Sequence, residues 1–230
     1  MGAYRLLIVS ILLVMYTRLF ALRGGSISRR RGAALRMSTS DGKPTALVPV
    51  ADGSEEIETV TIIDTLVRGG VEVTVASASP TLTIRASRGV KLEADCRISC
   101  DQCTSTNWDL IAVPGGMPGA TNLRDSAELT ALLKKQKEQK RLIAAICAAP
   151  AVVLQHHGLL NGAPATCYPA DAFTDVIKDS LSQDAVVVSD NIVTSRGPGT
   201  ALAFSIKLVE LLVSKEVADE VASAMLLNYK

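Results

Sequence analysis

From Lys43 to the C-terminus, short runs of β-branched and other aliphatic residues alternate with longer amphipathic stretches. Buried parallel strands are typically continuous apolar runs, and the connection between two such strands usually contains a helix. Aromatic residues make up only 3% of the chain and hydrophobic residues 48%, so the core must be built from aliphatic side chains. The pattern predicts an α/β domain with a mainly parallel sheet and helices on both faces.

The individual elements follow from the apolar runs and the turn residues between them. The runs predicted as strands are TALVPVA, VEVTVAS, DLIAV, RLIAAI, ATCY, AVVVS and IVTS. A first helix is expected after Ser54, a hairpin or edge excursion between residues 81 and 92, and a helix over SAELTALLKKQKEQK. Two further helices complete the chain, the first over residues 201–213 and the second from 216 to about 227.

The first 43 residues have the composition of a targeting segment, and residues 44–230 form the predicted domain. Residues 1–21 are signal-like, with a short apolar run after Arg5, and residues 22–43 are rich in Arg and Ser, as in a transit peptide. This bipartite order predicts import into a plastid, with no membrane attachment after cleavage. A signal anchor, a secreted product, and a cytoplasmic protein translated from Met37 are the alternatives.

The chain has 24 basic and 23 acidic residues, and Arg18, Arg23, Arg29, Arg30 and Arg31 all lie in this leader, so the remainder is mildly acidic. No basic stripe with interleaved aromatic residues follows. Nucleic acid is therefore not expected as the main partner.

The segment IAAICAAP places Cys147 where an apolar strand runs directly into a predicted helix. Such a junction is typical of a nucleophile elbow, which presents its residue at the ligand-binding edge of an open α/β sheet. A helix N-terminus behind the sulfur is expected to lower the thiol pKa to about 3.5–7.5. The alternative, a small buried apolar side chain, is less well supported at this junction.

A nucleophilic thiol also needs a group that moves protons. The two histidines, His156 and His157, follow Cys147 by nine and ten residues and are expected at the exposed far end of its helix. A carboxylate must then act instead. Glu58 is the candidate, because Glu55 and Glu56 are explained by favourable charge at a helix start. Taken alone, Glu58 is better explained as a surface residue.

Two loops are expected at the same edge of the sheet. Gly115 and Gly116 follow one strand, and their backbone N–H groups, with that of Ala148, are suited to an oxyanion hole. The loop TSRGPGT follows another strand and offers Arg196 as an anion or dimer contact. It lacks the GK[ST] ending of a phosphate-binding loop.

Cys96, Cys100 and Cys103 form a second group of cysteines, with a C-x-x-C spacing in its last two members. No second pair lies at zinc-finger spacing, and both histidines are distant in sequence. These cysteines are interpreted as structural or incidental, and no metal site is predicted.

Taken together, these segments resemble the ThiJ/PfpI superfamily, in particular its protein-deglycase and glyoxalase III branch. The resemblance spans about residues 44 to 226. The segments that match the family are GSEEIETV, IDTLVRGG with Asp64 and Arg68, SRGV, VPGGMPGATNL, LIAAICAAP and TSRGPGT. It implies a flavodoxin-like three-layer sandwich, a homodimer and no cofactor.

The resemblance also implies roles for single residues. Cys147 would be the nucleophile, Glu58 its hydrogen-bonded acid and base, and Gly116 with Ala148 the backbone donors. The remaining candidates for the substrate-binding or dimer edge are Gly115, Arg88, Arg196, Pro198 and Tyr168. Tyr168 stands where many relatives have histidine, which puts a proton-relay role in doubt. Ala148 replaces the histidine of the peptidase-like branch.

The resemblance therefore implies a cofactor-independent glyoxalase III or deglycase that converts methylglyoxal-type carbonyls, or their early protein adducts, into 2-hydroxy acids. One alternative is a redox-sensing, chaperone-like homodimer that acts through oxidation of Cys147. A cysteine peptidase is less well supported, because no histidine is available to the thiol.

Overall fold

The structure, a computed structural model, describes residues 42–228. The signal-like segment, nearly all of the transit-like segment and the alternative start at Met37 lie outside the described residues. Within residues 42–228, no helix is long and apolar enough to cross a membrane.

The described residues form nine strands, seven α-helices, one π-helix and two 3-10 helices. The strands are β1 (Thr45–Val50), β2 (Glu72–Ser77), β3 (Thr83–Arg85), β4 (Lys91–Glu93), β5 (Cys96–Arg97), β6 (Leu110–Val113), β7 (Leu142–Ile146), β8 (Val186–Ser189) and β9 (Ile192–Ser195). The α-helices are α1 (Glu56–Arg68), α2 (Asp101–Ser105), α3 (Gly119–Arg124), α4 (Ala127–Glu138), α5 (Asp171–Thr174), α6 (Ala201–Leu212) and α7 (Lys215–Ala224). A π-helix spans Pro150–Gln155, and 3-10 helices span Asp175–Ser180 and Pro198–Thr200.

Seven strands form one sheet in the order β5–β2–β1–β6–β7–β9–β8. All neighbours in this sheet are parallel except β8 and β9, which form an antiparallel hairpin across the Asp190-Asn191 turn. Strands β3 and β4 pair separately as the predicted excursion. Because β1, β6, β7 and β9 are parallel, the loops that follow them meet at one edge of the sheet.

Helices cover the sheet in two groups, since α1 packs with α6 and α6 with α7, while α3 packs with α4 and with the π-helix. Every residue of β7 is buried, as expected for a central strand of a parallel sheet. The core between the layers is aliphatic, and Phe204 is the largest side chain that is fully buried. These observations confirm the predicted three-layer α/β sandwich.

Three local predictions need correction. The segment ATCY is not a strand, because its pairing is reduced to one bridge between Ala165 and Leu181. The segment after Cys147 is a six-residue π-helix rather than a longer α-helix. The segment that carries Cys96, Cys100 and Cys103, for which neither a strand nor a helix was predicted, contains the edge strand β5 and the short helix α2.

Candidate active site

Cys147 directly follows β7 and has a left-handed backbone conformation, with φ of 64°. A non-glycine residue in this region is strained, at a cost of about 1–3 kcal/mol. This conformation is stabilised by a hydrogen bond from the Cys147 N–H to the carbonyl oxygen of Ser195 at 3.0 Å, which continues the pairing of β7 with β9. The predicted strand-to-helix elbow is present, and it leaves Cys147 8% exposed.

The loop after β6 makes room for the sulfur. A Cβ atom on Gly115 would lie 2.6 Å from Cys147 Cβ and 2.9 Å from the carbonyl oxygen of Ile146. At Gly116, where φ is +85°, a Cβ would lie 2.5 Å from the carbonyl oxygen of Gly53. Both positions therefore require glycine for close approach of the backbone.

Two backbone N–H groups point at the sulfur. Those of Gly116 and Ala148 both hydrogen-bond the Cys147 side chain and act to lower the pKa of its thiol. They come from different strands, since Gly116 follows β6 and Ala148 follows β7. Because β6 and β7 are in register, the two donors that the sequence suggested for an oxyanion converge on one atom.

Glu58 lies in the first turn of α1 and is completely buried. Its Oε2 atom accepts a hydrogen bond from the Gly115 N–H at 2.8 Å, while Oε1 is buried without a hydrogen-bond partner among the described residues. Burial raises the Glu58 pKa to about 7, against the opposing effects of the Gly115 N–H and the Cys147 side chain. The explanation of Glu58 as a surface residue is therefore wrong.

Glu55, which sequence reasoning treated only as helix-start charge, also shapes this site. Its carboxylate caps α1 by accepting the Glu58 N–H at 2.8 Å, and its negative charge contributes to the raised Glu58 pKa. Its own N–H donates to the carbonyl oxygen of Gly115 at 3.0 Å. Glu55 thus joins the start of α1 to the loop that holds the sulfur. The acidic pair at the helix start was the only signal for it in the sequence.

The thiol of Cys147 is not the low-pKa group that the helix start predicted. Burial raises its pKa to about 12, and the neighbouring Glu58 charge adds to the rise. The N–H groups of Gly116 and Ala148 oppose this shift without reversing it. The direction of this shift is opposite to the predicted one, because desolvation and the like charge of Glu58 outweigh the two backbone N–H groups.

These two shifts define a coupled pair, in which a carboxyl that titrates near neutrality adjoins a thiol that keeps its proton. A base with a pKa close to the working pH is well suited to accept a proton and return it. The arrangement therefore supports a thiol that loses its proton to Glu58 as it attacks, rather than a thiolate that is always present.

Glu56 binds the segment that contains Arg88. Its carboxylate accepts hydrogen bonds from the Arg88 N–H at 2.9 and 3.1 Å and from the Ser87 hydroxyl at 2.9 Å. Burial acts to raise the Glu56 pKa, but these hydrogen bonds, with those from its own N–H and that of Val90, lower it overall. Arg88 itself is exposed, and its backbone is fixed to the start of α1.

Three other predicted residues lie on the β9 side of the sulfur. The Tyr168 N–H donates to the Cys147 carbonyl oxygen at 2.8 Å, and the Tyr168 ring lies against Gly197. Arg196 is half-buried and donates to the carbonyl oxygen of Gln183 at 3.4 Å, beside a cavity of about 180 Å³. Pro198 begins a 3-10 turn in the same loop. Of the three, Tyr168 is joined directly to the elbow.

The histidines are arranged differently from each other. His156 is exposed, as predicted for the far end of the helix. The same expectation was wrong for His157, which is half-buried. Its Nε2 atom lies 2.9 Å from the Arg124 carbonyl oxygen and 3.1 Å from the Thr130 hydroxyl oxygen. These contacts join the end of the π-helix to α3 and α4.

The fold and the site define a flavodoxin-like α/β protein with a cysteine at a strained elbow and a buried glutamate beside it. The DJ-1/PfpI family model matches residues 44–211, so the chain belongs to the DJ-1/PfpI family. The solved structure "Toxoplasma gondii DJ-1, oxidized" is similar, with a TM-score of 0.78 and 53% identity over 81% of this chain and 100% of that one.

Curated relatives include Protein DJ-1 homolog B of Arabidopsis thaliana, 43% identical over 186 residues and 81% of this chain. The Glutathione-independent glyoxalase DJR-1.2 of Caenorhabditis elegans is 35% identical over 188 residues, which cover 79% of this chain and 94% of that protein. The chain spans 42% of the length of homolog B and 47% of homolog A from the same plant.

Proposed function

We propose that this protein is a cofactor-independent glyoxalase of the glyoxalase III type, which converts methylglyoxal-type dicarbonyls into 2-hydroxy acids. The observation that carries the proposal is the pairing of Cys147, under two backbone N–H donors, with the buried Glu58 carboxyl. The relative named as a glutathione-independent glyoxalase supports the same reaction class.

In the first step the Cys147 sulfur adds to the aldehyde carbon of methylglyoxal while Glu58 takes the thiol proton and returns it to the oxygen that forms, which leaves Glu58 ionised for the next step. The product is a hemithioacetal, whose oxygen accepts hydrogen bonds from the N–H groups of Gly116 and Ala148. Ionised Glu58 speeds this step, and without it water accepts the proton more slowly. Its pKa of about 7 means that a large share of molecules carries the charge at neutral pH.

In the next step Glu58 moves a proton from the former aldehyde carbon to the neighbouring carbonyl carbon through an enediolate. The resulting thioester of a 2-hydroxy acid is hydrolysed by water, which releases lactate and restores the Cys147 thiol. Methylglyoxal and one water thus give lactate, without external oxidant or reductant. Attack of the same thiol on an early glycation adduct of a protein is the corresponding deglycase reaction.

The test is lactate formation from methylglyoxal without glutathione or added metal. We expect Cys147→Ser to abolish it, because an alcohol is a much poorer nucleophile beside a carboxylate of this pKa. Cys96→Ser is the matched control, since Cys96 is separated from β7 by strands β2, β1 and β6. Equal rates for wild type and Cys147→Ser would overturn the proposal.

A redox role for the same thiol is the second candidate, and the oxidised state of the Toxoplasma relative's structure favours it. Peroxide would convert Cys147 to sulfenate and then sulfinate. Intact-mass analysis after mild peroxide, set beside steady-state turnover of methylglyoxal, separates the two roles. Addition of two oxygen atoms to every chain together with negligible turnover favours the redox role.

We also propose that the protein works as a homodimer and that its leader directs it to a plastid. The dimer is supported by exposed apolar side chains along α1, namely Ile57, Val60 and Val67. Light scattering coupled to size-exclusion chromatography measures the molar mass and so tests for the dimer.

Mass spectrometry of the N-terminus of the protein isolated from cells tests the leader, because it distinguishes a cleaved leader from a start at Met37.

A further inference from the structure

A second group of thiols lies far from the elbow, at the β5 edge of the sheet. Cys96 belongs to β5, Cys100 caps the start of α2, and Cys103 lies within α2. All three are free cysteines, and their sulfur atoms lie within 4.8 Å of one another. The sequence showed the C-x-x-C pair, but only folding brings Cys96 from the neighbouring strand to form a group of three.

The spacing of these sulfur atoms is that of a thiolate metal site. Ligands on a tetrahedral centre with metal–sulfur bonds of about 2.3 Å lie about 3.8 Å apart. Cys96 Sγ and Cys103 Sγ are 3.3 Å apart, and no pair in the cluster exceeds 4.8 Å, so the observed distances bracket this value.

The surrounding backbone supports the same interpretation. The Cys103 N–H donates to Cys100 Sγ at 3.4 Å, which is the kind of outer contact that orients a metal-bound thiolate. The Trp108 indole N–H donates to the Cys103 carbonyl oxygen at 3.1 Å, and both of these residues are buried. One wall of the cluster is thus fixed, whereas Cys96 and Cys100 remain half-exposed and leave a path for an ion.

We propose that Cys96, Cys100 and Cys103 bind one thiophilic metal ion through their three sulfur atoms, with Cu(I) the ion that this donor set fits best. Soft thiolate ligands select Cu(I) and Zn²⁺ over harder ions. Within residues 42–228, no histidine or carboxylate joins the cluster as a fourth ligand. Zn²⁺ prefers four ligands and needs water or another exogenous group here, whereas Cu(I) is satisfied by three.

This site is separate from the proposed catalytic chemistry. Strands β2, β1 and β6 lie between β5 and β7 in the sheet. At about 4.8 Å between adjacent strands, the cluster is on the order of 19 Å from the elbow. The proposal therefore stands or fails independently of the glyoxalase reaction.

The experiment is an anaerobic titration of the reduced protein with Cu(I) held by a weaker chromogenic chelator, followed by native mass spectrometry. All proteins carry Cys147→Ser, which removes the thiol of the candidate active site. We expect one Cu(I) per chain, and at least tenfold weaker binding after Cys96→Ser or Cys100→Ser. Cys167→Ser is the matched control and should bind like its parent. Cys103 is fully buried, so its substitution is avoided.

A parallel titration with Zn²⁺ distinguishes the ions, and we expect it to bind at the same cysteines with lower affinity. One Zn²⁺ bound in place of Cu(I) still supports a thiophilic metal site. The proposal is overturned if the parent removes no ion from the chelator, or if Cys96→Ser and Cys100→Ser bind as the parent does. A disulfide between Cys96 and Cys103 that persists in fully reducing buffer also overturns it.

Discussion

Replacing Glu58 by glutamine should make Cys147 more reactive towards a simple alkylating agent and less active on carbonyl substrates. The carboxylate raises the thiol pKa through its charge and its hydrogen bond, and glutamine removes the charge while keeping nearly the same shape. The side-chain oxygen of the introduced glutamine can still accept the Gly115 N–H, which now donates to Oε2 of the glutamate. The substitution therefore isolates the effect of the charge.

The size of the effect follows from ordinary electrostatics. A neighbouring charge shifts a pKa by about 1–3 units, and each unit is a tenfold change in the thiolate fraction. Thiolate nucleophilicity falls with pKa, with a Brønsted coefficient of about 0.4–0.5, which leaves a net gain of about three- to fourfold per unit. We therefore expect iodoacetamide to alkylate Glu58→Gln about 3- to 60-fold faster than wild type at alkaline pH.

The pH dependence makes this prediction sharper. Because the Glu58 pKa is about 7, wild-type Glu58 is mostly uncharged below that pH and resembles glutamine. The ratio of the two alkylation rates should be near one at pH 6 and should rise through pH 7 to its full value at pH 9. A ratio that stays constant, or slower alkylation of the variant at every pH, would refute the reasoning.

Three further predictions concern the residues around this pair. Gly115→Ala should lower the free energy of unfolding by about 1–3 kcal/mol and slow alkylation of Cys147, because the new Cβ would lie 2.6 Å from that of Cys147. A variant that matches wild type in urea denaturation and in alkylation rate would contradict this. Since the folded pKa of Glu58 is about 7 and its ordinary value is 4.5, the folded chain binds the proton more tightly, and stability falls as pH rises between these values. From pH 5 to pH 8 the free energy of unfolding of wild type should fall by about 2.5 kcal/mol relative to that of Glu58→Gln. If the two proteins show the same pH dependence of stability, the raised Glu58 pKa is contradicted. Glu56→Gln should have a free energy of unfolding about 1.5–3 kcal/mol lower than wild type at pH 7, because the hydrogen bonds from the Arg88 segment would no longer reach a charged acceptor. The Glu56 pKa is lowered, so this gap should close as pH falls below 4.5, and a pH-independent gap would contradict the assignment.

The sheet and the position of the nucleophile could be predicted because they depend on local pattern. The apolar run Leu142–Ile146 is typical of a central strand in a parallel sheet. Such a strand places Cys147 at its carboxyl end, on the edge of the sheet where the loops meet. The pairing of β6 with β7 then brings Gly115 to the sulfur. Periodicity and parallel register are sufficient for each of these steps.

The electrostatics and the remote thiols could not be predicted in this way. The sign of the Cys147 pKa shift depends on competition between desolvation, a like charge and two N–H donors, and sequence position reveals only the donors. The burial of Glu58 depends on how α1 packs over the loop after β6. The joining of Cys96 to the C-x-x-C pair depends on the path of a two-residue edge strand.

The central claim is that the Cys147 sulfur bonds to the substrate carbonyl and that Glu58 then moves a proton between carbons. Native mass spectrometry of Glu58→Gln mixed with methylglyoxal tests it most directly, because addition can still occur while the next step is blocked. We predict that one methylglyoxal accumulates on each chain and that the adduct disappears when Cys147→Ser is added. An adduct on another residue, or lactate production by Glu58→Gln at the wild-type rate, would contradict the account.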